Sequence, residues 1–279
     1  MFRKVMLATD FSPPAEQLFN CLEELKTLGT EEVLLLNVVR PTGMAMQIQD
    51  RTIKKLEEKE KVLKEKGFKV TSEAPIGFAA TEIREISKRE EVSLILIGSK
   101  GEGFLRRMFL GSTAADLLRM TDKPVLLEKY QEMDGVEECK AFCERKFVKV
   151  LFPTDFSEPS LRAFKRIKEL KGVTKQIILA HVIDKGVGDD EISSLREEAH
   201  RKLEKMKEEI SDLGFETDVR VRVGVPSQQV LDIAEDDEVT LIAIASRGEG
   251  VIKDLLMGST AENIAGRSNR PILLFPERK

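Results

Sequence analysis

The sequence predicts two doubly wound α/β domains in tandem, each an open five-stranded parallel sheet of order 3-2-1-4-5 in the Rossmann-like class. Three observations carry this prediction. The chain repeats itself at about half its length, short apolar runs alternate with helix-period segments in both halves, and several of those runs are apolar without a break, as in parallel strands covered on both faces. At 279 residues the chain is also near twice the ~150-residue prior for a single domain.

The repeat is direct. KVMLATDFS at residues 4–12 returns as KVLFPTDFS at 149–157, and LLNVV at 35–39 returns as LAHVI at 179–183. Residues 98–127 align without gaps on 245–274 with 11 of 30 positions identical, among them Gly101, Gly103, Gly111, Ser112, Thr113 and Pro124. So many spaced identities in one block mark a duplicated domain. The boundaries fall at 1–128 and 147–279. Residues 129–146 have no partner in the repeat and are expected to form a linker, partly helical.

Each element can be justified once for both copies. The first strand (5–8; 148–152) ends in Thr-Asp-Phe-Ser, where Ser12 or Ser157 can cap a helix and Pro13 suits its first position. The second strand (32–39; 176–183) precedes a long charged helix, in which Ile192, Leu195, Ala199, Leu203, Met206 and Ile210 recur at spacings of three and four. Gly67 and Gly214 stop these helices. The alternation of residues 218–223, DVRVRV, predicts a strand with one exposed face, and hence a sheet edge. A short helix follows (80–89; 227–235). LILI at 94–97 and LIAI at 241–244 then read as central strands. A glycine-rich loop, another helix and a last strand (124–127; 271–275) complete the unit, with right-handed crossovers throughout.

Composition excludes several classes of function. A hydrophobic fraction of 41% with 34% charged residues is globular rather than disordered. The 45 basic against 49 acidic residues leave a net charge of −4, interspersed along helices, which argues against nucleic-acid or anionic-membrane partners. No apolar run approaches the ~20 residues of a membrane span, so a cytoplasmic protein is expected. Three cysteines (Cys21, Cys139, Cys143) are too few, and odd in number, for a disulfide framework and are expected to be ordinary thiols. Two histidines (His181, His200) argue against a His-rich metal site, and no metal ligands are assigned.

In doubly wound sheets ligands bind beyond the carboxyl ends of the strands, where strand order reverses, here between strands 1 and 4. Strand 1 delivers Thr9 and Asp10, or Thr154 and Asp155. Strand 4 delivers Gly98-Ser99-Lys100-Gly101, or Ala245-Ser246-Arg247-Gly248. Gly111-Ser112-Thr113 and Gly258-Ser259-Thr260 stand at the start of the next helix, where unpaired amides and the positive dipole end favour an anion. Glycine lets phosphate approach the backbone, and the hydroxyls can donate to it. Lys100 and Arg247 sit within reach of such a phosphate. His181 replaces Asn37 of the other copy, so a shared catalytic histidine is excluded. A hydrogen-bonded polar side chain at the strand end accounts for both residues.

The spacing Gly98-x2-Gly101-x9-Gly111-Ser112 resembles the G-x2-G-x9-G-[S/T] pattern of the universal stress protein family, in its ATP-binding branch. The resemblance covers nearly the whole chain as two consecutive family domains. It implies an adenine-nucleotide alpha hydrolase-like fold that binds ATP or AMP, with Mg as a companion ion. It places Asp10 and the backbone at Val38 on the adenosine side, Gly98 and Gly101 at ribose and phosphate, and Gly111, Ser112 and Thr113 at the phosphates. Asp155, Val182, Gly248, Gly258, Ser259 and Thr260 take the same places in the second copy. One motif glycine is missing there: Ala245 stands where the first copy has Gly98, which costs little where φ is negative. The resemblance also implies pairing of the two halves through their last strands and a possible homodimer. The function expected is that of a nucleotide-binding stress or signalling protein without evident catalysis. The alternatives are an ATP-hydrolysing or nucleotidyl-transferring enzyme in the same crevice, and a structural pairing module. Neither Gly-x4-Gly-Lys-[Ser/Thr] nor, after the first strands, Gly-x-Gly-x2-Gly occurs.

Overall fold

The computed structural model describes residues 1–99, 110–132, 139–141, 145–184, 188–248 and 257–277. The chain divides into two compact units, Met1–Glu144 and Arg145–Glu277.

The first unit runs β1 (Lys4–Ala8), α1 (Pro13–Leu25), β2 (Glu32–Leu36), α2 (Ala45–Glu65), β3 (Lys69–Glu73), α3 (Ala79–Arg89), β4 (Leu94–Gly98), α4 (Ser112–Met120) and β5 (Val125–Glu128). Its strands are all parallel, in the order β3-β2-β1-β4-β5. β1 lies between β2 and β4, and Val5, Met6 and Leu7, which point alternately to the two faces of the sheet, are all wholly buried, so both faces are covered. Each such side chain contributes about 1.5–3 kcal/mol by leaving water. That explains why the central runs are uniformly apolar. β3, at the edge, alternates between exposed and buried positions instead.

Two short strands follow, β6 (Tyr130–Glu132) and β7 (Cys139–Ala141), which pair antiparallel with Tyr130 opposite Ala141. This corrects the expectation of a partly helical linker. The sequence between them carries Asp134-Gly135, a dipeptide that favours reversal over helix. A second correction concerns Cys21, wholly buried on α1, which is disulfide-bonded rather than an ordinary thiol. Cysteine number had argued against this, but pairing depends on which elements the fold brings together.

The second unit runs β8 (Lys149–Pro153), α5 (Glu158–Ile167), β9 (Gln176–Ile183), α6 (Asp189–Ser211), β10 (Glu216–Val223), α7 (Pro226–Asp236), β11 (Leu241–Ala245), α8 (Ser259–Arg267) and β12 (Ile272–Phe275). Its order, β10-β9-β8-β11-β12, repeats the first, again parallel throughout. Edge strand β10 carries Arg220, held by both carboxylate oxygens of Asp237 at 2.7 and 3.1 Å.

The copies differ where β2 and β9 end. β9 keeps its ladder with β10 as far as Ile183, whereas β2 stops at Leu36, short of the expected Val39, and only an isolated bridge joins Val39 to Ile76. Pro75 explains the difference. It occupies the position of Arg222 and has no N–H to give to the ladder.

Candidate functional site

The Thr-Asp-Phe-Ser turn is built by its own side chains. Thr9 Oγ1 accepts from Phe11 N at 3.0 Å, and Asp10 Oδ1 accepts from Ser12 N at 3.0 Å and from Ser12 Oγ at 2.6 Å. Phe11 is thereby held at φ 57°, a left-handed conformation unusual for a bulky residue. The second copy repeats every bond: Thr154 with Phe156, Asp155 with Ser157, and Phe156 at φ 61°. The same tetrapeptide takes the same geometry in both copies, as expected of a turn encoded locally.

Beyond this turn lies a cavity of about 880 Å³ that spans the carboxyl ends of β2, β1 and β4. Thr9, Asp10, Val38, Gly98, Gly111, Ser112 and Thr113 all line it. Lys100 and Gly101 lie outside the described residues.

One end of the cavity is the amino terminus of α4. The neighbouring α1 is closed by Ser12, whose hydroxyl accepts from Ala15 N. α4 instead starts at Gly111, at φ −60° and ψ 146°, with no side-chain cap. Gly111 N donates to Ser99 O at 2.8 Å and its carbonyl receives Ala115 N at 2.9 Å, so the amides of the first turn point outward at the positive end of the helix dipole. α8 repeats this at Gly258, whose N–H donates to Ser246 O at 2.8 Å, again without a side-chain cap.

The other end is the backbone at Val38. Leu36 O accepts from Thr9 N at 2.9 Å on the β1 side, while Asn37 N and Val39 N donate toward β3, to Glu73 O and Pro75 O. Alternation along a parallel strand turns the Val38 N–H and C=O to the β1 side, past the last residue of β1. They form an amide edge that a planar heterocycle can use. Val182 has the same setting, one residue after His181 and one before Ile183, whose carbonyl takes Gly224 N at 2.9 Å.

The second unit fills its crevice differently. Gly248 lies so close to Asp155 that a Cβ there would overlap Oδ2. Arg247 is bonded to Glu277 at 2.8 Å. Ala245 ends β11 with a negative φ and a buried methyl, as Gly98 ends β4, so the substitution carries no backbone strain. Phe156 stacks on the His181 ring with centroids 4.6 Å apart.

Sequence reasoning missed the cavity wall supplied by α2 and the segment before it: Arg40, Thr42, Ile48, Arg51, Thr52 and Lys55. A charged helix reads as a solvated surface until its docking across the strand ends is known. The signal available in the sequence was the lysine repeated at 55 and 202, which the structure places over the turn phenylalanine of each copy, Lys55 Nζ 5.5 Å from the Phe11 ring and Lys202 Nζ 5.1 Å from that of Phe156. Among the described residues no group of three or more His, Cys, Asp or Glu side chains could hold a metal ion, and no helix is long and apolar enough to cross a membrane.

Fold and site together define a tandem α/β protein with a cavity at the strand-order reversal of its first unit and, among the described residues, a helix start without a side-chain cap in each unit. The chain belongs to the Universal stress protein family, whose model matches residues 1–129 and 146–276. It is 35% identical to universal stress protein MJ0577 of Methanocaldococcus jannaschii over 156 residues, 47% of this chain and 96% of that protein. The crystal structure of a universal stress protein from Archaeoglobus fulgidus covers 98% of this chain and 96% of its own, with a TM-score of 0.74 at 25% identity. A further solved structure is a universal stress protein in complex with cAMP, 24% identical over 46% of this chain and 95% of its own, with a TM-score of 0.35.

Proposed function

We propose that the first unit binds an adenine nucleotide, ATP or AMP, and that the protein serves a stress-response or signalling role through that binding rather than through catalysis of its own. One observation carries this reading: a single cavity of about 880 Å³ has the uncapped amides of α4 at one end and the unladdered Val38 backbone at the other. Such a volume lies in the range of small-molecule sites, roughly 300–1,000 Å³.

The residues fit the ligand. Phosphate oxygens would accept from the first-turn amides of α4 and from the hydroxyls of Ser112 and Thr113. The heterocycle's edge would pair with Val38, and Thr9, Asp10 and Gly98 would flank the sugar. The second unit offers Thr154, Asp155, Val182, Ala245, Arg247, Gly248, Gly258, Ser259 and Thr260 for the same task. A companion Mg would be held chiefly by phosphate oxygens, with Asp10 the carboxylate among the described lining residues. Asp10 Oδ1 already serves Ser12, which favours a positioning role over that of a general base.

The test is equilibrium titration of the purified chain with labelled ATP and AMP, repeated on Gly111→Asp, which sets a carboxylate at the mouth of the α4 amides. Affinity should fall at least ~10-fold, the order of one lost charge-assisted contact. An unchanged constant in a folded variant rejects the cradle. Mass spectrometry of ligand released from fresh protein would name the nucleotide.

A further inference from the structure

The two units descend from one sequence but carry opposite charge at the positions where, in the first, the second helix and the segment before it supply the cavity wall. Two structural markers set the correspondence. Val39 and Ile183 each receive the N–H of the glycine that closes the third strand, Gly77 and Gly224, both at 2.9 Å. The residues that follow are Arg40 in the first unit and Asp184 in the second. Lys55 and Lys202 each lie over the left-handed phenylalanine of their turn. One helical turn earlier stand Arg51 and Glu198.

Arg40, Arg51 and Lys55 line the first cavity, and among the described residues none of them is ion-paired. In the second unit Lys202 Nζ lies 2.7 Å from Glu198, so its charge is answered locally and Asp184 tips the balance to negative. The Lys202 ammonium also holds the Glu198 carboxyl below its usual range, so Glu198 stays ionised at neutral pH. Two more differences run the same way. The residue whose N–H closes on the cap glycine is Ala115 on α4 and Glu262 on α8, which puts a carboxylate in the first turn of the second helix only. Arg247, at the start of the second loop, is bonded to Glu277.

We propose that the two crevices are charge-graded: the first selects the more highly charged nucleotide and fills first, through Arg40, Arg51 and Lys55, while the second stays a weak site with little preference for charge. This rests on the nucleotide-binding reading above and assigns Arg40 and Arg51 as selectivity residues for it. The physical basis is Coulombic. Three positive charges on the wall of one cleft raise the local concentration of a polyanion, and carboxylates at two of the three matching places lower it. Most of these charges face water, so the difference must collapse with salt, as the Debye length shrinks from about 10 Å at 0.1 M to about 3 Å at 1 M.

The experiment is calorimetric titration of the full chain with ATP and with AMP at those two ionic strengths. The proteins compared are the wild type, Gly111→Asp, Gly258→Asp, Arg51→Glu and Glu198→Arg. The expected result is one tight and one weak site per chain, with the tight site lost in Gly111→Asp and kept in Gly258→Asp. The preference for ATP over AMP should be larger at the tight site and should shrink in 1 M salt. Arg51→Glu should weaken ATP at the tight site roughly 10-fold in 0.1 M salt and far less in 1 M, and Glu198→Arg should strengthen the weak site. Arg51 is exposed, so this variant tests the idea even where a glycine variant fails to fold. Two equal sites with one salt slope, a tight site that follows Gly258, or no effect of Arg51→Glu on ATP binding would each overturn the grading while leaving nucleotide binding intact. Absence of binding at both sites overturns both readings.

Discussion

His181 Nδ1 lies 2.8 Å from the Thr154 carbonyl oxygen, the contact that Asn37 Nδ2 makes with Thr9 O at 2.8 Å in the first unit. A carbonyl can only accept, so Nδ1 is the protonated nitrogen and the ring does the work of an amide. Both side chains reach from the second strand to the last peptide of the first, just before the turn that presents the aspartate. They position the crevice floor.

His181→Asn should therefore be mild, because the amide bond of the first copy is restored and only the stacking on Phe156 is lost, about 0.5–1.5 kcal/mol. His181→Leu leaves the Thr154 carbonyl without its partner and should cost a further ~1 kcal/mol, the low end for a half-buried group. Urea denaturation of the two variants separates them. Equal midpoints would mean that the hydrogen bond contributes nothing.

Gly248→Ala should destabilise the second unit by about 1–3 kcal/mol, because its methyl overlaps Asp155 Oδ2. Asp155→Ala removes the clash along with the bonds to Ser157. The double variant should then lose less than the sum of the singles, with a coupling of at least ~0.5 kcal/mol. Thermal melts of the three proteins read this out, and strict additivity would place the strain elsewhere.

Lys4 Nζ is 2.9 Å from Glu90 Oε2, a pair that ties the start of the central strand to the end of α3. The hydrogen bond from Lys4, with a second from Arg89, holds the Glu90 carboxyl below its ordinary 4.5. Because the folded value is the lower one, the stabilisation is complete above 4.5 and fades as pH falls through the folded value. Glu90→Gln should lower the melting temperature at pH 7 and lose that deficit in acid. A deficit that persists at pH 3 would assign it to packing.

Reduction should also register. Cys21 is wholly buried and disulfide-bonded, and removing a native disulfide typically costs about 2–5 kcal/mol. Melts with and without dithiothreitol, against Cys21→Ser, measure it. A wild-type protein indifferent to reductant would show that the thiols are free in solution.

The strand order was legible because its signal is local. Uninterrupted apolar runs at 94–97 and 241–244 became β4 and β11 in the middle of each sheet, and the alternating DVRVRV became edge strand β10. The cap at Ser12 and the glycine start of α4 were equally readable, since each depends on a few adjacent residues. The early end of β2 was not: Pro75 acts on a strand nearly forty positions away, and only the ladder connects them. The Cys21 disulfide was missed for the same reason, because pairing depends on which elements the fold brings together.

By itself the sequence determined the duplication, the parallel α/β plan and the glycine-Ser-Thr helix starts, because periodicity, capping and turn chemistry are properties of neighbouring residues. Only the tertiary structure decided that Arg40, Arg51 and Lys55 belong to the crevice of one copy, and Asp184 and Glu198 to the matching positions of the other. A charge on a helix has no address until packing across the strand ends turns that face toward a cavity rather than toward water.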